Sequence, residues 1–117
     1  MGILSNILQV LLGLGFLMFG FMKFGSKQMV DEFRRYGYPG GFRIFTGLVE
    51  VIAAVLVISG IWNDKFAAWG GLFIVGTMLG AIFTHIKVKD PVNRMMMPIV
   101  LLILGLIVLL MNLESLL

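Results

Sequence analysis

Residues 42–61 read FRIFTGLVEVIAAVLVISGI. The stretch supplies about the 20 residues that cross a ~30 Å hydrocarbon core, with one acid, Glu50, inside it. Two further runs of similar length flank it, residues 3–24 and 66–86. A fourth apolar run, residues 98–111, is short by itself. Met95, Met96, Met97 and Leu113 extend it to a span of about 94–113. The expectation is all-α: an integral membrane four-helix bundle. Nearly all of the 117 residues are span or short connection, so residues 1–117 read as a single transmembrane domain without a separate soluble one.

The charges orient this bundle. Of the nine Lys and Arg residues, Lys23, Lys27, Arg34, Arg35 and Arg43 surround the first connection, and Lys87, Lys89 and Arg94 lie around the third. Four crossings put both connections on one face, and only Lys65 falls on the other. The positive-inside rule predicts a cytoplasmic basic face, both termini outside, and residence in the cytoplasmic (inner) membrane. Hydrophobic residues make up 60% of the chain and charged ones 13%, whereas soluble domains are about a quarter charged. The net charge of +3, gathered on one face, suits anionic headgroups; nothing points to a nucleic-acid partner. The first run lacks a basic leader and a small-residue cleavage site, so it reads as a retained helix.

The connections carry their own signals. Ser26 is placed to cap a helix and Gly37 to end it. Between them Met29, Val30, Phe33 and Tyr36 recur at helical spacing among charged residues. The pattern predicts a short interfacial amphipathic helix, Lys27–Tyr36, between the first two spans. Tyr38-Pro39-Gly40-Gly41 turns the chain back into the membrane. Asn63-Asp64 makes a tight turn. Asp90 and Pro91 read as the cap and first residue of the last helix, with Pro98 bending it. Gly76-x-x-x-Gly80 lets helices approach closely, either inside the monomer or along a dimer seam. Trp62 and Trp69 read as anchors at the external interface.

Glu50 needs explaining. An ionised group near mid-membrane costs at least about 2.5 kcal/mol on insertion scales, so it faces the bundle with partners or is protonated. His85 and Lys23 are the candidate partners. Side chains lean towards the helix N-terminus, and these three helices run so that all three groups converge in the inner half of the bundle. Thr46 and Gly47, one turn before Glu50, add a hydroxyl and open volume, and Arg43 closes the mouth. Thr77, Ala81 and His85 form a strip leading to the site. The same residues read equally as a ligand, proton or quinone site or as a structural network between Glu50 and His85; a path exposed to snorkelling is the remaining reading.

Other chemistries find no support. The chain has no cysteine, which excludes a thiol relay, thiolate clusters and covalent c-type haem. One histidine excludes bis-histidine haem within the chain. Met95, Met96 and Met97 point in different directions on a helix and make a poor copper site. No metal set, nucleophilic triad, phosphate-binding loop or flavin fingerprint is present, so catalytic residues stay unassigned.

Phe19-Gly-Phe-Met-Lys23-Phe, Gly47-Leu-Val-Glu50 and Gly80-Ala-Ile-Phe-Thr-His85 occur in order and at suitable spacing. In these motifs the chain resembles the DoxX-like family of small four-helix membrane proteins. The resemblance implies a cytoplasmic-membrane bundle with a site at Lys23, Glu50 and His85. It also implies a link to quinone or oxidative stress, since some relatives are named as subunits of a thiosulfate:quinone oxidoreductase. Distant animal relatives include an assembly chaperone. The expectation is a polar intramembrane pocket that binds a quinone or similar lipophilic redox molecule, with any electron transfer supplied by a partner. The alternatives are a membrane assembly factor or interaction subunit, and a proton-coupled small transporter acting as a homodimer.

Overall fold

A computed structural model describes residues 2–117. Five helices follow one another: α1 (Ile3–Gly25), α2 (Lys27–Tyr36), α3 (Gly40–Ser59), α4 (Asp64–Lys87) and α5 (Val92–Met111), with a closing 3₁₀ turn at Leu113–Leu116. All but α2 are long and apolar enough to cross a membrane, so the chain is a multi-pass membrane four-helix bundle. The spans lie within a few residues of the apolar runs, as expected where hydropathy sets their length.

The amphipathic helix forms where its caps predict. The Ser26 hydroxyl accepts the Met29 N–H, and Gly37 ends α2 at φ 83°. That left-handed conformation suits a residue without Cβ. Asn63 caps α4 by accepting the Lys65 N–H. The start of α5 differs from expectation. Its first residue is Val92, with Pro91 ahead of it and no side-chain cap. Asp90 is drawn away to other partners, and its carboxylate is unavailable to the helix.

The long helices pack in the order α1, α3, α4, α5, and α1 meets α5 only slightly. The core holds Phe16, Ala53, Ala54, Val57, Ala67, Ile74 and Val108. Its layers are thin because glycines let backbones touch. A Cβ on Gly47 would lie 2.8 Å from the Gly20 carbonyl, and one on Gly20 would lie 2.8 Å from the Gly47 carbonyl. Gly70 sits as closely against Val57, and Gly71 against Leu109. Such contacts replace the hydrophobic drive that helices lack in lipid. Gly76 and Gly80 behave otherwise: a Cβ on either meets nothing within 4 Å. The motif faces outward, and the close packing inside the monomer is made by other glycines. Buried Gln9, unremarked in the sequence, donates to the Val57 carbonyl at 3.0 Å and accepts from Ser5 at 3.1 Å. Val57 lies in the last turn of α3, where helix carbonyls lack partners.

A polar latch holds α2 against the connection between α4 and α5. Arg35 donates to both Asp90 carboxylate oxygens, at 2.9 and 3.0 Å, and to Glu32 at 3.0 Å. Tyr36 donates to Glu32 at 3.0 Å. His85 Nδ1 lies 2.6 Å from Asp90 Oδ2. Tyr38 and Thr84 share a hydroxyl hydrogen bond of 2.9 Å, and the Lys87 ammonium sits 4.4 Å from the Tyr38 ring centre. Hydrogen bonds from Arg35 and then His85 hold the Asp90 carboxyl down at about 2. Arg35 also lowers Glu32. Burial, followed by the bond to Glu32, pushes the Tyr36 phenol up to about 12.

Two outcomes follow from this architecture. Gly47→Leu should destabilise the protein in detergent by ~1–3 kcal/mol through overpacking, whereas Gly76→Leu should stay within ~0.5 kcal/mol. Parallel thermal melts check the contrast; equal losses would contradict the packing described. The Asp90 contribution to the latch should be complete above its ordinary value of 3.8 and fade as pH falls towards about 2, because a depressed carboxyl stabilises only while ionised. Asp90→Asn should speed hydrogen exchange in residues 27–36 about tenfold at neutral pH while sparing α3. Unchanged protection in α2 would mean that its apolar face alone holds it.

Candidate functional site

Glu50 is the eleventh residue of the twenty in α3 (Gly40–Ser59), counting from Gly40, so it stands at the middle of the span. Helix geometry puts it about 15 Å from the helix start, slightly deeper than a start at Phe42 implies. It is 2% exposed. The Gly20–Gly47 contact explains its partner. Lys23 lies one turn beyond Gly20 on α1, and Glu50 one turn beyond Gly47 on α3. The two backbones touch, and Lys23 Nζ reaches Glu50 Oε1 at 2.7 Å. The Lys23 side chain is 14% exposed and that of Glu50 3%. An ion pair inside hydrocarbon is thus assembled from two helices that run in opposite directions, their side chains leaning towards each other.

The pair stands alone: at 2.7 Å the Lys23 ammonium is the one side-chain partner of the Glu50 carboxylate among the described residues. The Lys23 ammonium also lies 5.9 Å from the centre of the Phe19 ring, one turn back. Arg43 donates to the Lys23 backbone carbonyl, tying the start of α3 to the end of α1. It stands near the start of α3, at the rim, two turns before Glu50.

His85 belongs to a different cluster. The expected Glu50–His85 hydrogen bond is absent among the described residues: His85 pairs with Asp90, and its ring meets Tyr36 edge-on at 6.0 Å. The reason is the geometry of α4. Gly60 and Gly70 bring it closest to α3 near Ala67 and Val57, towards the Asn63 end of the bundle. At the basic end α4 faces α2 and the loop through Asp90. Thr46 is likewise set apart, its hydroxyl donating to the Phe42 carbonyl of its own helix at 2.9 Å. Thr77 bonds the Phe73 carbonyl in the same manner, so the expected polar strip leads nowhere. Of the five candidate residues, Lys23, Glu50 and Arg43 come together; His85 and Thr46 do not join them.

Sequence reasoning missed Asp90 as the partner of both Arg35 and His85. Its place before Pro91 resembled a helix cap, and nothing local signalled a contact across 55 residues. It also missed Gln9, which an amide inside an apolar run could have announced. Among the described residues no group of three or more His, Cys, Asp or Glu side chains could hold a metal ion.

Comparison with known proteins adds the family. The chain is 34% identical over 83 residues to the uncharacterized protein YdgD of Bacillus subtilis (strain 168), covering 70% of this chain and 73% of that protein. No solved structure is significantly similar. The model of the DoxX-like family matches residues 7–108, from α1 into α5, a stretch that takes in Lys23, Glu50 and His85. The protein therefore belongs to the DoxX-like family.

Proposed function

We propose that the protein is an inner-membrane binding protein whose polar centre is the Lys23–Glu50 pair. It would take a lipophilic redox molecule of the quinone class and present it to a partner oxidoreductase. The basic end faces the cytoplasm on this reading, because eight of the nine cations lie there. The observation that carries the proposal is the buried Lys23–Glu50 pair at mid-span, whose carboxylate meets no other side chain among the described residues. A carboxylate accepts at about four lone-pair sites and an ammonium donates three N–H bonds, so one contact between them leaves both with capacity for a ligand. A quinone offers two carbonyl acceptors. The Lys23 ammonium can donate to one, and Glu50 can carry the proton that accompanies reduction. The chain itself supplies position and proton; electrons come from the partner.

A second reading, a membrane assembly or interaction subunit, is favoured by the outward-facing Gly76 and Gly80 on α4. Small residues on a lipid-exposed face allow another helix to approach.

Glu50→Gln and Lys23→Met should each weaken binding of a short-chain quinone at least tenfold, or about 1.4 kcal/mol. Removing one charge of a buried pair strands the other, so each single variant should also melt earlier in detergent. The double variant Lys23→Met with Glu50→Leu should recover much of that stability and still fail to bind. Equilibrium binding measured beside thermal melts separates the readings. Wild-type quinone affinity in the double variant would discard the binding role and leave the interaction subunit.

A further inference from the structure

A cavity of about 240 Å³ lies between α2 and the start of α3, lined by Val30, Phe33, Arg34, Tyr38, Gly40 and Arg43. We propose that it binds the phosphate of an anionic phospholipid. The site shares Arg43 with the rim of the Lys23–Glu50 pair but does not depend on what that pair binds.

Charge is the first argument. Two arginines from different helices line the cavity, and no acidic residue does. Among the described residues neither Arg34 nor Arg43 forms an ion pair, whereas Arg35, the next residue along, holds both Glu32 and Asp90. The helix thus divides its adjacent arginines: one is neutralised within the protein, and the other lines the cavity and forms no ion pair among the described residues. Arg43 spends one N–H on the Lys23 carbonyl and keeps the rest of its five. Its Nη2 would stand 3.8 Å from a Cβ on Gly40, so the guanidinium lies over the beginning of α3. Two arginines at one cavity can meet the tetrahedral oxygens of a phosphate, and arginine binds that group with directed, charge-assisted bonds.

The backbone agrees. α3 begins without a side-chain cap and without an acid in its first turn. The Gly40 and Gly41 N–H groups donate to no acceptor among the described residues, while Phe42 and Arg43 both use the Pro39 carbonyl. These donors complement the guanidinium groups.

The walls select the source of the phosphate. Val30 and Phe33 belong to the apolar face of α2, the helix whose amphipathic pattern places it at headgroup depth. An inorganic anion needs no apolar wall, whereas the glycerol and first acyl carbons of a lipid do. A zwitterionic lipid brings its own cation to the phosphate and competes poorly for the arginines. An anionic headgroup such as phosphatidylglycerol fits all three features.

Native mass spectrometry of the full-length protein, released from bilayers of mixed phosphatidylglycerol and phosphatidylcholine, tests this directly. The wild type should retain one phosphatidylglycerol in preference to phosphatidylcholine. Arg34→Gln and Arg43→Gln should each reduce that retention about fivefold, the equivalent of one basic contact at a membrane surface. Lys65→Gln, which removes a charge from the other end, should leave it unchanged. Gly40→Asp is the variant least disturbing to the fold: nothing lies closer than 3.8 Å to its Cβ, and an acid suits a helix start. Its carboxylate should occupy the arginines and expel the lipid without lowering the melting temperature. The proposal is overturned if Gly40→Asp keeps the wild-type lipid, if Lys65→Gln loses it as fully as Arg34→Gln, or if both lipids are retained equally. It is also overturned if inorganic phosphate displaces the lipid completely at low millimolar concentration, for the site would then serve a free anion.

Discussion

The contact between the Gly20 and Gly47 backbones controls the basic half of the molecule. Because neither residue has a Cβ, α1 and α3 cross with their main chains touching. Lys23 and Glu50, each one turn further along its helix, are then close enough for their charges to meet inside the hydrocarbon. Neither residue is tolerable there alone. The crossing therefore has two consequences: it packs two helices in a solvent that offers no hydrophobic drive, and it makes a mid-span acid affordable. Arg43, bonded to the Lys23 carbonyl, extends the same junction to the membrane surface.

The polar groups at the basic end fall into three sets. The Lys23–Glu50 pair lies within the span. Arg34 and Arg43 border a cavity between α2 and the start of α3. Arg35, Glu32, Asp90, His85 and Tyr36 form the latch that fixes α2 to the loop before α5. α2 takes part in the last two. Its adjacent arginines point to different neighbours, as residues one position apart on a helix must. The opposite half of the bundle is built by close apolar packing of α3, α4 and α5, with Gln9 covering a carbonyl at the end of α3. One half is thus closely packed and apolar, and the other concentrates the charge.

The amphipathic helix Lys27–Tyr36 was legible to the residue, since its caps, periodicity and terminal glycine are all local signals. Glu50 was legible as the anomaly because an acid in an apolar run is rare. Its partner was not. Lys23 and His85 both lean inward from helices running the same way, and direction alone cannot choose between them. The choice depends on where α1 and α4 each approach α3 most closely. Gly20–Gly47 brings α1 in at the level of Glu50, whereas Gly60 and Gly70 bring α4 in near the other end. Gly76-x-x-x-Gly80 carries the same lesson: its spacing permits close packing, but the helix rotation turns it outward.

The sequence by itself determined the class, the four spans and the amphipathic helix between the first two. It also placed the basic residues at one end. These follow from hydropathy over about twenty residues and from capping chemistry over four, both of which act along the chain. Only the tertiary structure decided that Glu50 pairs with Lys23, that His85 and Arg35 share Asp90, and that Arg34 and Arg43 border one cavity. Those pairings join residues 5 to 55 positions apart that lie on different elements, and helix rotation and crossing point select them. Both are set by how small residues interlock across interfaces, a property of two helices together that neither displays alone.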